Sequence, residues 1–395
     1  MKSRSMNTPR TLFAATLLAF AATGLIVACA ESAPAPEASE PGAQIIPKPS
    51  TDAEADGAIL PLEDAGCEGD ASDCGTAQPD SCEGVAWCPA TNPADSRSAF
   101  TAVWGTNKDD VWAVGSGGAV VHFDGTAWKD ASLQTTRTLF SVGGSGPDDV
   151  WIVGTYGTLY HRSGGSAFEA KPIVPYAGAA EKMLTSVWST SPDQVWISGE
   201  SLKIPTETKA AMQYRRTVVD GGARWQAVSP CSTCTVVSRV WGPSPDEVWS
   251  VGSRGKAYRT TLPADGDGGA PVSVEIATKA TQDLRAVWGS SKDDIWLVGR
   301  RGTLRRCLAG ATECEPVEAG TTEDLHAVWG SAADDVWVAG ANGTILHFDG
   351  KSWSHSTAAF PAARKPNLYG VWGSAGTDVW IVGENALLHF TGANQ

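Results

Sequence analysis

Short apolar segments separated by Gly- and Asp-containing turns fill the chain from about residue 100 to its end. In the first unit, apolar segments cover residues 100–104, 111–114 and 119–123, and a fourth segment carries Trp128. Segments of four to six residues bounded by Gly and Asp predict β-strands joined by tight turns. Their continuous apolar character favours sheets that are packed on both faces. The pattern therefore predicts units of four strands each.

One phrase, Val-Trp-Gly, recurs in this region with a second Trp eight residues after its middle position. The seven middle positions are Trp104, Gly143, Trp188, Trp241, Trp288, Trp329 and Trp372. The seven second positions are Trp112, Trp151, Trp196, Trp249, Trp296, Trp337 and Trp380. The period is about 45 residues, which is typical of β-propeller blades. We predict an all-β, seven-bladed β-propeller of four-stranded blades, in which the Trp pairs pack between the blades.

The two ends of the chain predict how the ring closes. The last unit stops after Phe390 without a fourth strand, whereas residues 82–87 match Phe348 to Trp353 of the sixth unit. An N-terminal strand that completes the last blade removes the exposed sheet edges. The repeats resemble the BNR or Asp-box-like propellers of secreted bacterial proteins, particularly Trp-rich lipoproteins of myxobacteria. That resemblance covers about 315 residues and implies a fold rather than one activity.

The N-terminus is predicted to be an export signal. Residues 1–10 are basic, residues 11–28 are apolar and uncharged, and Ile26-Val27-Ala28-Cys29 resembles the bacterial lipobox. That resemblance implies cleavage after residue 28 and lipidation of Cys29, and Ala30 after the Cys implies the outer membrane of a Gram-negative cell. The alternative is an ordinary signal peptide. Residues 29–80 are rich in Ala, Pro, Glu, Ser and Asp and predict a disordered tether, which leaves residues 81–395 for the propeller.

The net charge of the chain argues against one class of partner. The net charge is −14, and removing residues 1–28, which carry three bases and no acid, makes it −17. Such a surface disfavours nucleic acid as a partner.

Besides Cys29, the cysteines form close pairs that predict local disulfides in an exported chain. The pairs are Cys67/Cys74, Cys82/Cys88, Cys231/Cys234 and Cys307/Cys314. Cys231 and Cys234 could instead form half of a metal site, but no second CxxC or nearby His accompanies them, and we predict no metal or cofactor.

An acid two residues before the second Trp recurs in six units, and a base follows it by eleven or twelve residues. The pairs are Asp110/His122, Asp149/His161, Glu247/Arg259, Asp294/Arg306, Asp335/His347 and Asp378/His389. Both members lie equally far from the turn of one predicted hairpin, so they should face each other across it. We predict structural acid–base pairs, which removes these residues from any catalytic or metal-binding set.

The turns between the second and third strands of units four and five break the acidic pattern with Arg254, Arg300 and Arg301. If the blades run from inner to outer strand in chain order, these turns share a face with the connections between blades. Adjacent guanidinium groups there form a candidate site for a carboxylate or another anion. A solvated basic edge is the alternative. The longest insertion, residues 200–209 of unit three, lies on the same predicted face.

Three functions fit these features. We expect a monomeric, non-catalytic lipoprotein of the cell envelope whose propeller binds an unknown protein or glycan or acts as a scaffold. A sialidase-like glycosidase or lyase is a second possibility, but it requires an Arg triad, a Tyr/Glu pair and an acid in one funnel, and the sequence pattern reveals no such group. An outer-membrane assembly factor that faces the periplasm is a third.

Overall fold

The structure, a computed structural model, describes residues 82, 84–94, 98–171, 182–201, 213–219, 222–228, 237–263, 270–310, 312–360 and 365–390. The predicted signal peptide, the tether, Cys29, Cys67, Cys74, Cys231 and Cys234 lie outside these residues, as does most of the insertion at residues 200–209. In the part of the chain that is described, no helix is long and apolar enough to cross a membrane.

The chain folds into seven antiparallel sheets of four strands each, which form a seven-bladed β-propeller as predicted. Blades 1 and 2 consist of β2 (Phe100–Asn107), β3 (Asp110–Gly115), β4 (Val120–Phe123), β5 (Trp128–Asp130), β6 (Leu139–Gly146), β7 (Asp149–Gly154), β8 (Leu159–Ser163) and β9 (Glu169–Ala170). Blades 3 and 4 consist of β10 (Lys182–Ser191), β11 (Gln194–Ser201), β12 (Gln213–Val219), β13 (Gly222–Ala227), β14 (Val237–Ser244), β15 (Glu247–Gly252), β16 (Ala257–Thr261) and β17 (Val272–Ile276).

The other three blades repeat this plan. Blades 5 and 6 consist of β18 (Leu284–Ser291), β19 (Asp294–Gly299), β20 (Leu304–Leu308), β21 (Glu315–Pro316), β22 (Leu325–Ala332), β23 (Asp335–Gly340), β24 (Ile345–Phe348) and β25 (Trp353–His355). Blade 7 consists of β26 (Leu368–Ala375), β27 (Asp378–Gly383), β28 (Ala386–Phe390) and the N-terminal strand β1 (Cys88–Pro89).

Ring closure follows the predicted scheme. Strand β1 pairs antiparallel with β28, with Cys88 opposite His389. Trp87 is fully buried and packs on Phe390 at 5.2 Å between ring centroids, as Trp353 packs on Phe348 at 5.3 Å. The predicted alignment is therefore right for Trp87. It is wrong for Cys82, because Phe390 of the C-terminal strand occupies the place of Phe348.

The Trp residues are divided between the core and the central channel. In every blade the two positions of the pair are directly opposite each other on the first and second strands, as in Trp104 and Trp112. The seven second-strand Trp side chains are at most 4% exposed and form the cores between blades. The six first-strand Trp side chains are half-buried and line the channel. The prediction that the Trp pairs pack between the blades is therefore fully right only for the second-strand Trp residues.

Candidate functional site

The central channel opens into a cavity of about 580 Å³ on one face of the ring. Its rim contains Ser116 and Ser253, which begin turns between second and third strands. Ala99 and Asp283, each next to the start of a first strand, also lie on the rim. The predicted sharing of one face by these turns and the connections between blades is thus confirmed. We call this cavity the channel mouth.

One residue from each blade lines the channel mouth, always two positions before the Val of the repeated phrase. These residues are Thr101, Phe140, Thr185, Ser238, Arg285, His326 and Tyr369. Each sits at a shift of strand register in the first strand, where it has no partner across the sheet. Such a β-bulge turns a side chain out of the regular alternation. The fold therefore presents seven side chains of six residue types at one level of the channel.

Polar and aromatic groups from blades 5–7 form one side of the mouth. Arg285 pairs with Asp324 at 3.6 Å. The Nδ1 of His326 donates to the carbonyl oxygen of Leu368 at 2.9 Å, and its ring stacks on Tyr369 with centroids 5.2 Å apart. Burial lowers the pKa of His326, so this ring is neutral at neutral pH. This side thus offers a stacked ring pair beside a cation that retains a carboxylate partner.

Tyr369 also donates its hydroxyl hydrogen to Glu384 at 2.8 Å. Burial, with the nearby Glu384 charge adding to it, raises the pKa of Tyr369. The same carboxylate accepts the backbone N–H of Asn367 at 3.2 Å and its side-chain amide at 3.0 Å. A Tyr/Glu pair whose Tyr lines the channel mouth is a feature that the sequence analysis did not find.

The opposite side of the mouth has less free hydrogen-bonding capacity. Thr101 donates to the carbonyl oxygen of Leu139 on the next blade at 2.5 Å, and Thr185 donates to that of Val237 at 3.1 Å. Their hydroxyl hydrogens are therefore used within the ring. Phe140 adds an apolar wall, and Glu200 adds a carboxylate whose pKa is raised by burial.

Arg254, Arg300 and Arg301 lie on the same face as the mouth but do not line it. Arg300 is within 3.7 Å of Asp283 and 3.5 Å of Asp324. The backbone N–H groups of Arg254 and Arg301 donate to the same two carboxylates, each at 2.9 Å. The predicted cluster is therefore partly neutralised by two acids, and the exposed side chains of Arg254 and Arg301 keep their role as candidate anion ligands.

The predicted acid–base pairs form in five blades, but the predicted register is wrong: each base is directly opposite the second Trp of its blade and reaches the acid diagonally. The closest N–O distances are 2.7 Å for Asp110/His122, Asp149/His161 and Asp335/His347, and 2.6 Å for Asp294/Arg306 and Asp378/His389. The prediction is wrong for blade 4, where Glu247 forms no ion pair with Arg259 and accepts the indole N–H of Trp249 at 3.2 Å instead.

Each pair belongs to a larger hydrogen-bonded group that explains its structural role. In blade 2, Asp149 accepts from His161, from the Ser145 hydroxyl at 2.6 Å and from the Trp151 indole at 2.9 Å. The His161 ring also stacks on Trp151 at 3.7 Å. The carboxylate thus fixes the Trp that fills the core between blades. Within the described ranges, no three His, Cys, Asp or Glu side chains are placed to hold a metal ion.

The Cys307–Cys314 disulfide is present, with Cα atoms 4.2 Å apart, and it joins β20 to the segment before β21. Cys82 and Cys88, the first residue of the closing strand, have Cα atoms 5.7 Å apart, and the disulfide between them stays a prediction.

The channel mouth was missed in the sequence analysis, although the sequence does contain a signal for it. The Val of the repeated phrase is constant in all seven units, whereas the residue two positions earlier changes between small, basic and aromatic types. Position-specific variation within a constant repeat marks a surface released from the packing constraint.

No family model matches this chain, and no curated protein sequence matches it. Similar solved structures include YCF48 bound to D1 peptide, with a TM-score of 0.58 and 16% identity over 79% of this chain and 99% of that one. YCF48 from Cyanidioschyzon merolae has a TM-score of 0.60 and 18% identity, over 79% and 100%. The WD40 β-propeller domain of Doa1 has a TM-score of 0.56 and 10% identity, over 77% and 96%. At these identities the likeness shows the fold alone: this chain shares the β-propeller fold of these proteins.

Proposed function

We propose that this chain is a non-catalytic binding protein of the cell envelope that holds a segment of a protein ligand at the channel mouth. The observation that carries the proposal is the set of seven side chains, of six residue types, that equivalent bulges present at one level of the channel. A cavity of about 580 Å³ is within the usual range for ligand sites. YCF48, a propeller of similar fold, has been solved with a bound D1 peptide, which supports a peptide segment as the ligand.

Capture experiments with matched variants test this proposal. Full-length protein is used as bait against cell-surface extracts and a glycan array, beside the double variant F140T/H326S. Both substitutions introduce residues that other blades carry at the same position, so the ring should stay folded. We expect the double variant to lose about tenfold or more of its ligand affinity, because large buried side chains dominate binding. The control is V274T on the outer strand β17, where the side chain is 46% exposed. Equal capture by all three proteins contradicts a site at the mouth.

The envelope location is part of the same proposal. The basic and apolar segments of residues 1–28 and the lipobox-like Ile26-Val27-Ala28-Cys29 support a lipid anchor at Cys29. Residues 29–80 then supply a tether of 52 residues, which as a coil spans about 35–45 Å. Protease accessibility on intact cells distinguishes a surface protein from an assembly factor that faces the periplasm.

A sialidase-like hydrolase is the second candidate, favoured by the Tyr369–Glu384 hydrogen bond. Arg239 and Arg285 line the same mouth, and Asp283 adds an acid. The raised pKa of Tyr369 and the three hydrogen bonds accepted by Glu384 support a structural pair rather than a nucleophile. Hydrolysis of 4-methylumbelliferyl N-acetylneuraminate that is lost in Y369F, with the fold retained, would favour the enzyme over the binding protein.

A further inference from the structure

Arg239 occupies a position at which each of the remaining six blades has a small residue. The equivalent residues are Ala102, Ser141, Ser186, Ala286, Ala327 and Gly370. All of them directly precede the Val of the repeated phrase on a first strand. A large cation at this place interrupts a ring of small side chains around the channel.

The position is small because it faces the next blade. Ser141 accepts the backbone N–H of Val187 at 3.2 Å, and Ser186 accepts that of Val240 at 3.2 Å. A β-carbon on Gly370 would lie 3.1 Å from the Cα of Ala102. A slot this narrow has no room for a guanidinium. Consistent with this, Arg239 lines both the channel mouth and the deeper chamber of about 270 Å³ below it.

The charge of Arg239 is not compensated within the described part of the chain. No carboxylate there lies within ion-pairing distance of its guanidinium, and no hydrogen bond from it is formed; Glu200, across the mouth, is beyond that distance. Surrounding protein lowers the pKa of Arg239 to about 10, so the side chain stays charged at neutral pH. Arg239 is half-buried, and an unpaired cation in partly desolvated surroundings is costly, so such groups are normally paired with an anion.

We propose that Arg239 binds a carboxylate that a ligand inserts end-on into the central channel. A guanidinium and a carboxylate carry opposite unit charges, and two N–H donors of the planar guanidinium can bond the two oxygens of one carboxylate. Arg239 is one residue further along the strand than the ring at the mouth, inside a channel walled by seven strands. A peptide carries such a carboxylate at its C-terminus, the end that would enter the channel first. The assignment rests on the proposed function in taking the ligand to be a peptide.

Fluorescence titration of the full-length protein tests this assignment, because six Trp side chains line the chamber next to Arg239. The probes are N-acetyl-Ala-Ala-Ala with a free carboxylate, the same tripeptide as its C-terminal amide, sodium acetate and N-acetylneuraminic acid. The variant R239S places in blade 4 the residue that blades 2 and 3 carry, with Val287 of the next blade as its hydrogen-bond partner. The control K256T removes a positive charge on the same face from a side chain that pairs with Glu275 and is no candidate ligand. Blades 2, 5 and 6 already carry Thr158, Thr303 and Thr344 at this position.

We expect saturable binding of the free-acid tripeptide, weaker binding of acetate, and an affinity for the amide lower by about tenfold or more. R239S should lose the same factor while unfolding at the same or a higher temperature, R239K should retain part of the affinity, and K256T should bind as the wild type does. Equal binding of the tripeptide by R239S, equal binding of the amide, or no binding by the wild type overturns the assignment. Tighter binding of N-acetylneuraminic acid overturns the peptide as the source of the carboxylate.

The two proposals can fail separately. A protein ligand that is captured equally by R239S and the wild type, but lost in F140T/H326S, leaves the function standing and removes Arg239 from it. Binding of the tripeptide that depends on Arg239, without capture of any protein, leaves the carboxylate site and contradicts the function.

Discussion

The indole of Trp104 lies over Gly144 of the next blade, with its Cη2 atom 3.0 Å from the position that a β-carbon on Gly144 would occupy. Four other interfaces repeat this contact at 2.6–2.9 Å. They are Trp188/Gly242, Trp288/Gly330, Trp329/Gly373 and Trp372/Gly105. The Trp and Gly of one phrase therefore serve two different interfaces: the Trp packs on the following blade, and the Gly receives the Trp of the preceding blade.

The interface between blades 2 and 3 lacks both the Trp and the Gly of this contact. It has Gly143 where the other blades have the first Trp, and blade 3 has Ser189 where the others have Gly. Without an indole from blade 2, a side chain is tolerated at Ser189, whose hydroxyl donates to the carbonyl oxygen of Ser191 at 2.8 Å. The two departures from the repeat are thus one structural change at a single interface.

Substituting Ala for Gly373 should destabilise the ring. A β-carbon would lie 2.6 Å from both the Trp329 ring and the carbonyl oxygen of Asp378, and overpacking of this kind costs about 1–3 kcal/mol in the free energy of unfolding. The matched control is G146A, where nothing lies within 4 Å of the added atom and a change within about 0.5 kcal/mol is expected. Urea titration measures both, and equal midpoints for the two variants contradict the interface rule.

Removing the Asp149 carboxylate should change the stability and its pH dependence. Burial alone would raise the pKa of Asp149, but hydrogen bonds from His161, Ser145 and Trp151 outweigh it and lower the net pKa. The unfolded chain, in which this pKa is about 3.9, then takes up a proton first on acidification. The stabilisation is complete above about pH 4 to 5 and is lost as the pH falls through the folded-state pKa.

We therefore expect D149N to lower the free energy of unfolding by about 1–3 kcal/mol at pH 7 and to lose part of the steep decline at acidic pH. Unfolding by urea at pH 3 to 7 measures both effects. E247Q is the control, because Glu247 forms no ion pair with Arg259 and accepts only the Trp249 indole. A larger loss in E247Q than in D149N contradicts the role given to the His161–Asp149 pair.

The sequence predicts the ring but not the site, for a physical reason. Repeated Trp, Gly, Asp and His residues are fixed by packing that recurs at each interface, so their spacing alone predicts seven blades, the closing strand and five of six acid–base pairs. The exception is blade 4, where Glu247 replaces Asp: its longer side chain accepts the Trp249 indole N–H, as Asp149 accepts that of Trp151, but forms no ion pair with Arg259. The mouth depends on a β-bulge at Thr101 and its equivalents. The pattern of hydrophobic residues along the chain does not reveal that each first strand contains one unpaired residue.

Arg239 was passed over for a related reason. In the sequence it is one Arg next to a repeated Val, and only the ring shows that its six equivalents converge on one channel. The turn arginines Arg254 and Arg301, by contrast, stand out in the sequence but lie outside the channel, with Asp283 and Asp324 beside them. Charge clusters along the chain therefore predicted this site less well than departures from the repeat would have done.

Lipidation of Cys29 remains a prediction that mass spectrometry can check. We expect detergent-extracted protein to begin at Cys29, to exceed the polypeptide mass by the mass of its acyl groups, and to fractionate with outer membranes. C29A should be released into the soluble fraction, since no other anchor is predicted. A C29A variant that stays bound to membranes, or a native N-terminus other than Cys29, contradicts the anchor.

Trp87 should be the residue on which ring closure depends most. Its strand forms only two residue pairs with β28, so little of the closure comes from the sheet. The indole meets Trp337 of blade 6 edge to face at 5.0 Å and donates to the Ser356 hydroxyl at 3.1 Å. We expect W87A to lower the free energy of unfolding by about 3–5 kcal/mol and to speed hydrogen exchange in β28.

The matched control for this last experiment is W353A in blade 6. Trp353 makes the same edge-to-face contact, with Trp296 at 5.2 Å, but it is half-exposed and its strand is joined to β24 by a tight turn. Loss of its side chain therefore leaves the strand tethered, whereas loss of Trp87 frees a terminal segment that can diffuse away. Exchange in β28 should rise in W87A and stay unchanged in W353A. Unchanged exchange in both variants would mean that the two backbone pairs with β28, together with the backbone hydrogen bonds of Ala86 and Trp87 to Thr357 and Ala359, hold the closing strand without the indole.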